Sequence, residues 1–66
     1  MAYLKVKQII FEMNKEFSLE DLYNKCNESG ITNKKLILDV LDGLLDAGIV
    51  NYADLTIGHE KYKTKF

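Results

Sequence analysis

The chain changes its hydrophobic period once, and the change falls at Gly48. Before it, Leu36, Ile37, Val40, Leu41, Leu44 and Leu45 recur as pairs every fourth position, the stripe of a helix that lays one side against a core. After it, Ile49 to Tyr52 and then Lys61 to Phe66 read with period two, the spacing of strands. A chain of 66 residues has apolar side chains for one core, so both periods are expected to serve a single α+β domain spanning residues 1–66.

Two further helices precede the leucine-rich one. From Tyr3 to Lys15 the residues Tyr3, Val6, Ile10 and Met13 recur at steps of three and four, widened by Leu4, Ile9 and Phe11. Glu16 and Phe17 form a short extended link, and Ser18 is placed to cap a second helix, with Asp21 three residues on completing a capping box. Leu19, Leu22, Tyr23 and Cys26 line one side of that helix, which stops at Gly30. Ile31 anchors a tight turn, Thr32 is the expected cap of the third helix, and the helix runs from Asn33 to the glycine at 48. The two strands should pair as a hairpin across a loop from Ala53 to Glu60.

Three helices with a tight turn between the second and third, followed by a two-stranded hairpin, make the winged version of the helix-turn-helix. The stretches Phe17-Ser-Leu-Glu-Asp-Leu-Tyr, Gly30-Ile-Thr and Leu41-Asp-Gly-Leu-Leu-Asp-Ala-Gly-Ile-Val, with a late Tyr62 and Phe66, resemble winged-helix domains. They are most similar to the N-terminal winged-helix domains of the paired meiotic recombination accessory proteins that promote homologous strand exchange. The resemblance runs from Phe17 to Phe66. It implies a DNA-binding module, either a recombination accessory or, since those proteins continue into long coiled coils and this sequence ends at the wing, a small transcription regulator.

Composition narrows the classes. Nine lysines stand against ten acids with no arginine, so bulk charge supplies little affinity for phosphates and the distribution of the lysines decides. Cys26 and His59 are the sole cysteine and histidine, so one chain offers neither an internal disulfide nor four zinc ligands of the usual kind, and no cofactor is expected. Catalysis lacks its parts as well: no cysteine or serine has a histidine near in sequence, and there is no glycine-rich phosphate loop, so the chain is expected not to be an enzyme. No apolar run approaches the roughly 20 residues that span a bilayer. The start from Met1 to Lys7 lacks the apolar segment of a signal peptide, and a lone thiol suits a reducing compartment, cytoplasmic or, in a eukaryote, nuclear.

In a helix-turn-helix the third helix enters the major groove by its N-terminal residues. This assigns Asn33 and Lys34 to base edges and Lys35 to a phosphate. On the last strand Lys61, Lys63 and Lys65 project to one face, with Tyr62, Thr64 and Phe66 on the other; three amines in a row suit a phosphate backbone, although lysines on an edge strand also guard against aggregation. His59, in the loop beside Gly58, adds a candidate contact. Farther along the third helix Asp39, Asp42, Gly43 and Asp46 face outward, and these acids confine DNA to the first half of the helix or mark the surface for a protein. Leu38 is the candidate anchor of such a protein interface. Cys26, Tyr3, Phe11 and Tyr23 are expected to pack inside, and Tyr52 and Tyr62 to meet across the hairpin. Double-stranded DNA is therefore the expected partner; the alternative is a protein-interaction winged helix, a dimerisation or partner-binding adaptor. A homodimer suits either.

Overall fold

The computed structural model describes residues 2–65. It consists of α1 (Ala2–Phe11), α2 (Leu19–Glu28), α3 (Lys34–Asp46), β1 (Val50–Asp54) and β2 (Lys61–Thr64). Three helices followed by a two-stranded antiparallel sheet form a small α+β fold, compatible with a winged-helix layout. The expected inward placement of Phe66 lies outside the described residues.

The doubled stripe of α3 does what its spacing dictates: Ile37, Val40, Leu41 and Leu44 are buried, and Leu36 and Leu45 pack against the core from its margins. Opposite them lie Val6, Ile9 and Ile10 of α1, Leu22 and Cys26 of α2, Phe17 and Val50. Ser18 caps α2 in a reciprocal box, its hydroxyl accepting from the Asp21 N–H at 3.1 Å while the Asp21 carboxylate accepts from the Ser18 N–H at 3.0 Å. These bonds, backbone first and hydroxyl second, hold the Asp21 carboxyl below its ordinary pKa. Gly30 and Gly48 follow α2 and α3 at φ of 83° and 74°, the left-handed region that releases a helix with least strain when no Cβ is present. Burial raises the pKa of the Cys26 thiol, which keeps it protonated and unreactive.

Four sequence expectations are corrected. The first helix ends at Phe11 instead of Lys15, because the chain must turn to place Phe17 beside Tyr62. Glu12 and Met13 close it with tightened bonds to Ile9 and Ile10, and the Met13 carbonyl accepts from the Thr64 hydroxyl at 3.3 Å. Tyr3 and Phe11 are 52 % and 40 % exposed, since the apolar arc of α1 is wider than the face that α2 and α3 cover. The cap of α3 is Asn33, whose Oδ1 accepts from the Leu36 N–H at 3.2 Å, and Thr32 stays in the turn that Gly30 and Ile31 close back onto Asn27 and Cys26. Finally, β1 continues to Asp54, so the loop is shorter than the sequence suggested.

Gly43 sits inside α3 on its exposed side, where an added Cβ would lie 3.8 Å from the Tyr3 hydroxyl, an ordinary contact. Gly43→Ala is therefore expected to stabilise the fold by up to about 1 kcal/mol through helix propensity and a less flexible unfolded chain. A higher urea midpoint at unchanged slope is the expected reading; a lower midpoint would show that α1 and α3 leave no room for the methyl group.

The hairpin pairs Val50 with Thr64, Asn51 with Lys63, Tyr52 with Tyr62 and, past a bulge at Ala53, Asp54 with Lys61. On its other side β2 is met by Phe17: the Phe17 N–H donates to the Tyr62 carbonyl at 2.9 Å and the Tyr62 N–H to the Phe17 carbonyl at 2.8 Å. At Tyr62, then, the outer side of β2 is bonded to Phe17, although β2 remains one of two strands in a two-stranded sheet, as expected of an edge strand. Phe17, Tyr62 and Tyr52 form a row of rings across the sheet, with centroids 5.8 Å and 5.3 Å apart.

Candidate nucleic-acid interface

The cap at Asn33 determines which groups the first turn of α3 can offer. Asn33 Oδ1 accepts from the Leu36 N–H, which leaves the amide NH2 and one lone pair of Oδ1 for an outside partner. Lys34 and Lys35 follow, both exposed. The Lys34 ammonium stands 5.5 Å from the ring centroid of Tyr23, a cation–π contact that steadies the side chain over α2. Lys35 has no such partner among the described residues.

Alternation along β2 divides the strand as expected: Lys61, Lys63 and Lys65 are exposed, Tyr62 is half-buried and Thr64 is buried. None of these three ammoniums, nor that of Lys34 or Lys35, forms an ion pair among the described residues. They are not equivalent, however. Lys61 lies at the loop end, close enough to Asp21 and Asp54 to lower the pKa of both. Lys65 lies at the base of the hairpin, where its N–H donates to the Ile49 carbonyl at 2.8 Å just beyond the C-terminal end of α3. Lys34 and Lys35 occupy the other end of that helix, about 18 Å away along its axis at 1.5 Å per residue.

On the hairpin itself the Tyr52 and Tyr62 rings meet, their centroids 5.3 Å apart. Burial raises the pKa of the Tyr62 hydroxyl, and the charges of Tyr52, Glu60, Asp42 and Tyr23 add to the effect in that order. Tyr23 offers its ring to Lys34, a role that its place in the apolar stripe of α2 concealed. Asp39, Asp42, Gly43 and Asp46 are all exposed, as their spacing predicted. Leu38 is half-buried, which leaves it less surface to offer a partner than an outward leucine would have.

The loop is a built structure. Asp54 Oδ1 accepts from the Thr56 N–H at 2.9 Å and from its hydroxyl at 2.6 Å, and the His59 N–H donates to the Thr56 carbonyl at 2.9 Å. The Thr56 hydroxyl first and then its N–H hold the Asp54 carboxyl below its ordinary pKa. His59 is exposed in this turn. So are Leu55 and Ile57, the latter 91 % exposed, which the sequence reading passed over. Their signal was present: two large apolar residues between Asp54 and Gly58, in a stretch whose composition is that of a loop. A shallow depression of about 330 Å³ separates this loop from the start of α2, bordered by Ser18, Leu19, Glu20 and residues 58–62.

Among the described residues no group of three His, Cys, Asp or Glu side chains is placed to hold a metal ion, and no helix is long and apolar enough to cross a membrane. No protein-family model, curated protein or solved structure matches the chain.

Proposed function

We propose that this chain is a winged helix-turn-helix that binds double-stranded DNA, as a small transcription regulator or a recombination accessory module. The first turn of α3 enters the major groove, and the outer face of β2 follows the neighbouring phosphate backbone. The observation that carries this reading is the position of β2. Lysines on an edge strand are accounted for by protection against strand pairing. Lys61 and Lys63 flank Tyr62, whose backbone is already bonded to Phe17, so edge protection alone does not account for them, and neither ammonium forms an ion pair among the described residues. Anionic backbone is the partner that such a row fits.

The acids of α3 limit this docking. Asp39, Asp42 and Asp46 repel phosphate along the rest of the helix, so Lys34, Lys35 and the amide of Asn33 carry the groove contact alone. The loop tip, with Ile57 in solvent and His59 beside it, is left to meet sugar or groove wall. The same three acids favour a second reading, a protein-interaction module that presents α3 to a basic partner and does not bind DNA.

Titration of a labelled duplex at low and moderate salt separates the two. The wild-type chain is expected to bind at low salt, and Lys34→Ala and Lys61→Ala are each expected to weaken binding and to reduce the salt slope by about 0.9. Binding that ignores both substitutions, or no binding at low salt, would remove the DNA reading.

A further inference from the structure

The loop between the strands carries the two most exposed large apolar side chains among the described residues, Leu55 at 69 % and Ile57 at 91 %. Neither belongs to the core, so packing does not account for them. Turn chemistry does not account for them either, since glycine, proline, asparagine, aspartate and serine are the residues with a conformational reason to stand in a turn. Here Gly58 supplies the positive φ, 85°, and Asp54 supplies the side-chain turn through its bonds to the Thr56 N–H and hydroxyl. The bond of the His59 N–H to the Thr56 carbonyl closes a β-turn over residues 56–59, with Ile57 at its first corner and Gly58 at its second. Groups other than the Ile57 side chain therefore hold the corner in shape. That side chain is left for a partner, on a backbone that needs little ordering to meet one.

Charge selects the partner. The strand that leaves the loop begins at Lys61, and neither Lys61 nor Lys63 forms an ion pair among the described residues. The two acids of the loop direct oxygens into the turn, Asp54 onto Thr56 and Glu60 onto the Gly58 N–H at 3.4 Å. An apolar point followed by amines fits the minor groove of a duplex, where isoleucine and leucine side chains wedge between base pairs while cations hold the adjoining phosphates. We infer, on the basis of the DNA reading above, that Ile57 is such a wedge, with Leu55 adding apolar surface beside it, and that the protein bends duplex DNA by partly unstacking one base step. Unstacking costs least at the flexible pyrimidine–purine steps. The protein therefore selects DNA by its deformability at a place where it reads no base edge.

The test uses the full chain at low salt and two short duplexes of equal length and base composition, each with donor and acceptor dyes at its ends. One is rich in TA steps and the other has no pyrimidine–purine step. The wild type is expected to raise energy transfer on the TA-rich duplex, as its ends approach, and to bind it at least about threefold more tightly than the other. Ile57→Ser alters an exposed site and no charge, so it is expected to fold as the wild type does and to keep the salt slope of binding. It is expected to lose both the rise in transfer and the preference. Wild-type binding with the expected salt slope but no change in transfer, or an Ile57→Ser variant that bends and prefers the TA-rich duplex as the wild type does, would overturn the wedge and leave the DNA reading standing. Failure of the wild type to bind either duplex would remove the DNA reading and the wedge with it.

Discussion

Leu41→Ala is expected to leave most of the chain without cooperative structure at 25 °C. Leu41 is 1 % exposed, on the buried stripe of α3. Truncating such a leucine costs about 2–5 kcal/mol in lost burial and in the cavity left behind. A single core in a chain below about 70 residues rarely supplies more than about 3–5 kcal/mol in all. The single substitution therefore approaches or exceeds the whole margin, and each kcal/mol corresponds to about 4–8 °C of melting temperature at this size. Ile57→Ala provides the contrast, since it removes as apolar a side chain from a position already in solvent and should leave the melting temperature within a few degrees. A melting temperature for Leu41→Ala close to that of the wild type would mean that the core is elsewhere than described.

The second large effect concerns salt. If Lys34, Lys35, Lys61 and Lys63 each neutralise one phosphate, the logarithm of the affinity falls with the logarithm of salt at a slope of about −3.6, roughly a 150-fold loss over a fourfold rise in salt. Lys61→Ala/Lys63→Ala removes two contacts, leaving a slope of about −1.8 and roughly a 12-fold loss over the same range. It also takes the formal net charge from −1 to −3, two cations being lost, so affinity at low salt falls as well. Lys65→Ala, at the hairpin base beside Ile49, should change the slope less than the loss of either β2 lysine. An unaltered slope in the double variant would show that β2 does not lie along phosphates.

What could be read from the sequence, and what could not, follows from the range of the forces involved. The stripe of α3, the capping box of Ser18 and Asp21, the glycines at 30 and 48 and the Tyr52–Tyr62 pair are local or periodic features, and the structure has each where its spacing put it. The misreadings arise where a distant part of the chain overrules a local preference. Glu12 to Lys15 continue a helical pattern, yet the bond of the Thr64 hydroxyl to the Met13 carbonyl and the pairing of Phe17 with Tyr62 draw them out of the helix. That bridge also gives Tyr62 a second backbone partner on the outer side of β2, and neither segment alone carries a sign of it. Thr32 and Asn33 are both good caps, and one residue of turn length decided between them, which turned Asn33 from a free amide into a capping one.

The candidate site was legible as a set of residues and not as an arrangement. Strand alternation predicted that Lys61, Lys63 and Lys65 share a face. No periodicity predicted that Lys34 would stand over the ring of Tyr23, or that Lys65 would lie at the opposite end of α3 from Lys35. Those relations depend on how the elements pack, and packing is what a one-dimensional pattern omits.

Chemical-shift mapping of the isotope-labelled chain during titration with a short duplex tests the central claim most directly. The account predicts that the amide perturbations concentrate at residues 33–35 and along residues 59–63 and fade when salt is raised. Perturbations confined to α1 or to the acidic stretch from Asp39 to Asp46, with residues 33–35 and 59–63 unmoved, would contradict it.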